Sequence, residues 1–369
     1  MADYLKEQAD IDQRFMAAAI RLSRRNLGLT ATNPSVATLI VKDGVIVGRG
    51  VTAAGGRPHA ETQALAEAGD RARGATAYVT LEPCAHHGKT PPCAEALVTA
   101  GVARVVGAAN DPDSRVSGKG YGILRSAGID VVERVLAYEA ADVMSGYMNR
   151  SVKKRPEVIL KLAISTDGMI GRLGEGQVPI TGPVSRRQVH VLRAEADAIL
   201  VGIGTAVADD PDLRCRLDGL EQRSPIRIVL DRALRLPPTS KLAQTARDTS
   251  VLVATEVEET SPQRRALADL GVGFLPVETH DGEIALPELL EDLASKGIGS
   301  VVVEGGAATA RHFLEEGLVD RIALFIGPAP IGANGVASPL TRETLPEGFI
   351  QIREENFGDD RYLEFVRTS

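Results

Sequence analysis

A chain of 369 residues is longer than one ordinary hydrophobic core organises, which predicts two domains. Its 44% hydrophobic and 25% charged content is that of a soluble globular protein. The net charge of −7, without long one-sign runs, leaves no electrostatic footprint for nucleic acid beyond what a local patch could supply.

The opening MADYLKEQADIDQRF is charged where a secretory leader would be apolar, and no stretch reaches the roughly 18 apolar residues of a membrane span. A cytoplasmic protein is expected, with no membrane partner. Three cysteines in so long a chain make no disulfide framework, and a reducing compartment keeps Cys84 and Cys93 as thiols.

In chain order, Asp12 reads as a helix N-cap, with Phe15, Ala18, Ala19 and Leu22 on one face and Gly28 as the stop. Asp43-Gly44 between VATLIVK and VIVGRGV signals a hairpin. PHAETQALAEAG predicts a short helix opening near His59, ATAYVTL a buried strand, AEALVTAG a helix, and VARVVGAA and DVVERVL two strands. NRSVKKRPEV reads as an exposed linker between a first domain over 1–150 and a second over 157–369. The second restarts the alternation. VILKLAIS, DAILVGI, IRIVLD, SVLVAT, SVVVEGG and RIALFIG are strands, with helices such as VSRRQVHVLRAEA and ATARHFLEEGL between them. Both domains are therefore α/β, with strand order left open by the pattern.

One constellation carries chemistry. His59-Ala60-Glu61 opens a helix, Pro83-Cys84 ends a strand, and Cys93 follows after the insert AHHGKTPP. One imidazole and two thiolates make a three-ligand zinc site that leaves a fourth position for water. Zinc lowers the pKa of that water towards neutrality, and Glu61 beside it can shuttle protons, which suits attack on a C=N carbon and loss of an amine. That is the arrangement of zinc deaminases, whose two cysteines usually lie closer together, so the insert with His86, His87 and Lys89 is expected to carry substrate identity. A closed structural site using His86 or His87 as a fourth ligand is the bland alternative, and His87 alone reads as a solvent-facing loop residue.

With HAE, TLEPCAHHGKTPPC and DPDSRVSGKG in the first half, and SxDG at 165–168, ADDP at 208–211 and VEGG at 303–306 in the second, the chain resembles the bifunctional deaminase/reductase of riboflavin biosynthesis over essentially its whole length. The resemblance implies a cytidine-deaminase-like α/β/α domain followed by a dihydrofolate-reductase-like α/β domain, with Zn2+ and NADPH as cofactors. It implies hydrolytic deamination of 2,5-diamino-6-ribosylamino-4(3H)-pyrimidinone 5′-phosphate, then reduction of ribosyl to ribityl to give 5-amino-6-(5-phosphoribitylamino)uracil. It places Asn33 on the pyrimidine, with His86 and Lys89 near the ribose phosphate. Lys89, a point charge in a loop, suits that role chemically. The family commonly has Gly and Cys where this chain has Ala37 and Thr38, and a histidine where it has Thr52.

For the second half, hydride transfer needs positioning groups instead of a side-chain nucleophile. Gly305-Gly306 at a strand end lacks the full Gly-x-Gly-x-x-Gly pattern, so a Rossmann fingerprint is rejected. The resemblance makes 306–312 the cofactor loop (Gly306, Ala307, Ala308, Thr309, Ala310, Arg311 and His312). It adds Ala163, Thr205, Asp209 and Arg232 as further NADPH contacts. For substrate it implies Gln177, Arg193, Leu213, Arg216 and Glu304, with the two arginines able to grip a phosphate bidentately. Gln177 and Pro179 depart from residues often found there, and Cys215 reads as a packing thiol.

Two rival readings are weighed: a zinc deaminase of RNA bases or free nucleosides with an accessory domain, and a non-enzymatic nucleotide binder with structural metal. The first wants a basic groove or stacking aromatics, yet aromatics are 4% and Trp is absent. Small phosphorylated pyrimidines are thus the expected partners, with no nucleic acid and a homo-oligomer left open.

Overall fold

The first helix, α1 (Ala2–Ser23), runs straight through Asp12 instead of starting there. The computed structural model describes residues 2–87, 91–113 and 117–368. Asp12 is 3% exposed and accepts hydrogen bonds from both terminal nitrogens of Arg104 at 2.7 Å and from the Tyr78 hydroxyl at 2.9 Å. A capping aspartate and a buried aspartate look alike in sequence; only the partners on distant strands tell them apart. Burial alone would raise the Asp12 carboxyl, but the Arg104 and Tyr78 bonds outweigh it and hold it below its ordinary 3.8. Asp12→Asn is expected to cost about 1.5–3 kcal/mol in urea unfolding at neutral pH. Because the folded pKa is depressed, that contribution is present above 3.8 and is lost as acid titrates the folded carboxyl, so the deficit should shrink at lower pH.

The chain divides into two compact units, Met1–Lys154 and Arg155–Ser369. In the first, β1 (Ala37–Lys42), β2 (Val45–Val51), β3 (Thr76–Leu81), β4 (Arg104–Ala109) and β5 (Asp130–Val132) form one sheet in the order β2-β1-β3-β4-β5. The β1–β2 and β1–β3 pairs are antiparallel, and β3, β4 and β5 run parallel. Asp43 and Gly44 both have positive φ, as a type I′ turn requires, so the predicted hairpin is present. The helices are α2 (Ala60–Ala68), α3 (Cys93–Ala100), α4 (Lys119–Ser126), α5 (Ala137–Val143) and α6 (Ser145–Val152). DVVERVL yields only the three-residue β5, and α6 absorbs the front half of the expected linker.

Helix α2 packs closely on β2 where two glycines of the strand face it. A Cβ added to Gly48 would sit 2.2 Å from the Ala64 carbonyl, and one added to Gly50 would sit 2.1 Å from that of Ala60. The alternating glycines of VIVGRGV thus bring the helix that carries Glu61 directly onto the backbone of the sheet.

The second unit contains β6 (Glu157–Ile164), β7 (Met169–Arg172), β8 (Ala198–Gly202), β9 (Ile226–Leu230), β10 (Val251–Thr255), β11 (Gly273–Pro276), β12 (Thr279–His280) and β13 (Glu283–Ile284). It continues with β14 (Ser300–Glu304), β15 (Arg321–Ile326), β16 (Gly335–Ala337), β17 (Phe349–Phe357) and β18 (Asp360–Arg367). Nine of these form a sheet in the order β11-β10-β9-β8-β14-β6-β15-β18-β17. The strands from β11 to β15 in that order are mutually parallel, and β18 and β17 add antiparallel. Helices α7 (Pro183–Glu195), α8 (Ile203–Asp209), α9 (Lys241–Gln244), α10 (Pro262–Asp269), α11 (Leu286–Ser295) and α12 (Ala307–Glu315) complete the unit. All six predicted strands are there. The C-terminal hairpin was not predicted, because β17 is a largely exposed edge strand whose charges hide its pattern. Among the described residues no helix is long and apolar enough to cross a membrane.

Candidate active sites

Three elements bring together the candidate metal-ligating atoms of the first unit. His59 is the extended residue that caps α2, Cys84 follows β3, and Cys93 is the first residue of α3. The Cys93 amide donates to Cys84 Sγ at 3.2 Å, which fixes one thiol against the other's backbone. His59 Nδ1 lies 3.4 Å from Cys93 Sγ and 3.8 Å from Cys84 Sγ, and all three ligand atoms fall within 4.8 Å of one another. Metal–nitrogen and metal–sulfur bonds of about 2.0 and 2.3 Å around a tetrahedral zinc predict edges of about 3.5–3.8 Å, so the donor set fits zinc. His59 Nε2 is buried and carries the proton when Nδ1 is a ligand; it has no partner among the described residues.

No fourth protein ligand joins the cluster among the described residues. His86 and His87 are exposed, and His87 Nε2 points to Glu95 at 3.5 Å. Lys89 lies outside the described residues.

Glu61, in the first turn of α2, is 4% exposed. Burial, reinforced by the negative charge of Cys84, pushes its carboxyl up to about 6. The hydrogen bond from Cys93 draws the Cys84 thiol down to about 4, while the same bond and burial push Cys93 up. One sulfur is thus a ready thiolate, and the second loses its proton on taking up the metal.

Asn33 is half-buried just ahead of β1, and Gly56, with φ of 85°, leaves it room: a Cβ there would sit 2.2 Å from its side-chain nitrogen. Thr52 is buried, and its hydroxyl accepts the Val36 amide at 3.0 Å, so it offers nothing outward where the family's histidine would. Glu82 was missed by sequence reasoning. Buried two residues before Cys84, it accepts the amides of Gly118 and Gly120 at 3.0 Å each and anchors the C-terminal end of DPDSRVSGKG. Residues 114–116 of that motif lie outside the described residues.

In the second unit a cavity of about 500 Å³ opens at the carboxyl ends of β6, β8 and β14, where parallel sheets characteristically bind ligands. Ala163, Gln177, Arg193, Thr205, Asp209, Leu213, Arg216, Glu304 and Gly306 all line it. The Gly306 amide is held by Thr205 Oγ1 at 2.9 Å. The rest of the expected cofactor set is not among the residues lining this cavity. Arg232 pairs with Glu256 at 2.9 Å, away from the cavity lining. The predicted loop over 306–312 is helix α12 capped by Gly306, and of those residues Gly306 alone lines the cavity. Ala310 is fully buried in the apolar core and His312 stands by Glu283 and Glu316, because the helix period turns successive residues away from its N-terminus. Ala307, Ala308, Thr309 and Arg311 likewise do not line the cavity.

Of the two arginines expected to grip the phosphate, one already has a carboxylate partner. Arg193 spends its fork on Glu304, at 2.8 and 3.0 Å, and another nitrogen on the Arg214 carbonyl at 3.2 Å. Lys161, on β6, lies 3.8 Å from the same carboxylate and lines the same cavity, though sequence reasoning passed over it. A lysine inside the apolar run VILKLAIS was the available signal. Burial would raise the Glu304 carboxyl, but Arg193 and Lys161 outweigh it and hold it at about 2. Arg216 is exposed, and no carboxylate pairs with it among the described residues; with Arg186 it is a cavity-lining cation open to an anionic ligand.

Residues 9–109 match the cytidine and deoxycytidylate deaminase zinc-binding region, and residues 156–357 match the RibD C-terminal domain. The riboflavin biosynthesis protein RibD of Escherichia coli is 40% identical over 96% of this chain and 99% of its own length. That of Aquifex aeolicus is 37% identical over 97% and 99%. Among solved structures, Acinetobacter baumannii RibD superposes with a TM-score of 0.85 at 37% identity, covering 98% of this chain and all of its own. A diaminohydroxyphosphoribosylaminopyrimidine deaminase/5-amino-6-(5-phosphoribosylamino)uracil reductase from Thermotoga maritima gives 0.85 at 33% identity over 98% and 99%. With a cytidine-deaminase-like zinc unit followed by a RibD-type reductase unit, matched along nearly its entire length, the chain belongs to the RibD family of riboflavin biosynthesis proteins.

Proposed function

We propose that the chain performs two consecutive steps of riboflavin biosynthesis. It deaminates 2,5-diamino-6-ribosylamino-4(3H)-pyrimidinone 5′-phosphate hydrolytically, then reduces the ribosyl group with NADPH to give 5-amino-6-(5-phosphoribitylamino)uracil. The observation that carries this reading is the His59, Cys84 and Cys93 cluster with Glu61 buried beside it, in a chain that spans 99% of the length of bifunctional relatives.

Zinc held by His59, Cys84 and Cys93 supplies, when bound, a Lewis acid that makes water nucleophilic near neutral pH. Glu61 accepts a proton from the attacking water on its buried carboxylate and returns it to the departing amine. Asn33 orients the pyrimidine, and His86 and Lys89 face the ribose phosphate. In the second unit NADPH supplies the hydride. Ala163, Thr205, Asp209, Arg232 and residues 306–312 position the cofactor, while Gln177, Leu213, Arg216 and the ion-paired Arg193 and Glu304 receive the ribosylaminouracil substrate. The ligands are small phosphorylated pyrimidines, and the chain works in the cytoplasm with neither nucleic acid nor membrane as partner.

Purified protein given the diaminopyrimidine phosphate should accumulate the deaminated ribosyl compound without NADPH and the ribityl compound with it, as read by mass spectrometry. Deamination without any NADPH oxidation, from folded protein, would leave a monofunctional deaminase.

A further inference from the structure

The residues that bring Arg216 to the reductase cavity are fastened to one face of α7 at three points. Arg193 donates to the Arg214 carbonyl at 3.2 Å, Cys215 Sγ donates to the His190 carbonyl at 3.4 Å, and the Arg216 amide donates to His190 Nδ1 at 3.3 Å. From the other side the fully buried Arg227 donates to the Asp212 carbonyl at 3.1 Å. Between these anchors Leu213 holds a φ of 61°, a conformation that a leucine keeps only when its surroundings impose it.

His190 and Arg193 are three residues apart on α7 and both line the cavity, as does Arg216. A ring nitrogen that accepts an amide proton carries none itself, so Nδ1 is the bare nitrogen and Nε2 holds the hydrogen. Burial first, then the Arg193 and Arg216 charges, lower the imidazole's pKa against the opposing pull of Glu304, which favours this neutral form. Arg193 is committed to Glu304, which leaves Arg186 and Arg216 as the cavity-lining arginines without a carboxylate partner among the described residues, and of the two Arg216 is the one whose backbone His190 holds.

We propose that His190 is a positioning residue for phosphate recognition in the reductase: its neutral imidazole, through Nδ1, sets the turn over 213–216 and with it the place of Arg216. The inference rests on the reductase reading above.

The test compares NADPH oxidation by full-length wild type, His190→Phe and His190→Asn, each with the deaminated ribosylaminouracil 5′-phosphate and with its dephosphorylated counterpart. Phenylalanine keeps the ring and loses the acceptor, whereas the asparagine amide oxygen reaches the region of Nδ1. His190→Phe should raise KM for the phosphorylated substrate about ten- to thirtyfold, with kcat within about twofold and kcat/KM for the dephosphorylated substrate unchanged. His190→Asn should recover KM to within about threefold of wild type. An unchanged KM in His190→Phe overturns the proposal, as does an equal loss on both substrates, or a folded His190→Asn as impaired as His190→Phe. If wild type oxidises NADPH with neither substrate, the reductase reading itself fails, a result separate from any of these.

Discussion

Replacing Glu61 by glutamine is expected to slow deamination about 10²–10⁴-fold while zinc content stays unchanged. Glutamine keeps the shape of a side chain that is 4% exposed, so packing in the first turn of α2 survives. It cannot take up a proton, which is the task assigned to this position. Burial has already moved the carboxyl to about 6, close to working pH, where one group can both accept and release a proton. Amine release and metal content measured on the same preparation decide the point. Turnover equal to wild type would sink the assignment, and loss of zinc would show that Glu61 serves the metal site instead.

The second large effect is expected at Glu304. Its carboxylate balances Arg193 at 2.8 Å and Lys161 at 3.8 Å, all three side chains being largely buried. Glu304→Gln removes the shared counter-charge and leaves two cations in a low-dielectric cavity wall. Breaking such a buried group from one side costs about 3–5 kcal/mol. In a unit of this size that corresponds to a fall of about 10 °C in its melting temperature. The sign with pH follows from the depressed carboxyl: its contribution is present above the ordinary 4.5 and lost as the pH falls through about 2, so acid should narrow the gap between variant and wild type. Calorimetry across that pH range checks it. An unchanged reductase-unit transition at neutral pH would mean that the cluster does not hold the second unit together.

The features legible in the sequence were those fixed locally or by order along the chain. The Asp43-Gly44 hairpin was readable because a type I′ turn needs two positive-φ residues, which that pair supplies. The clustering of His59, Cys84 and Cys93 was readable because residue type and order constrain each other tightly. The pairing of Arg193 with Glu304 was not readable, because Glu304 comes from a strand more than a hundred residues later and nothing near Arg193 announces it. Which of residues 306–312 line the cavity was not readable for a related reason: the Gly305-Gly306 pair suggests a loop, while the helix behind it places Ala310 in the core. Sheet order was illegible because β6 and β14 pair across most of the unit's length. Asp12 failed differently, since one residue type serves both as a cap and as a buried ion-pair member.

The contact between α2 and β2 limits how the deaminase can diversify. Where a helix rests on side chains, trimming or enlarging them moves it by fractions of an ångström, and a site carried on it can be retuned gradually. Here Gly48 and Gly50 leave the helix seated on peptide planes, with carbonyls of Ala60 and Ala64 already at the closest approach the strand permits. At those two positions there is nothing to trim, and a larger residue pushes on the helix that carries Glu61. The depth of the reacting centre is therefore not an adjustable quantity in this fold, and selection for a different pyrimidine must act through the loops that roof the site while the floor stays as it is.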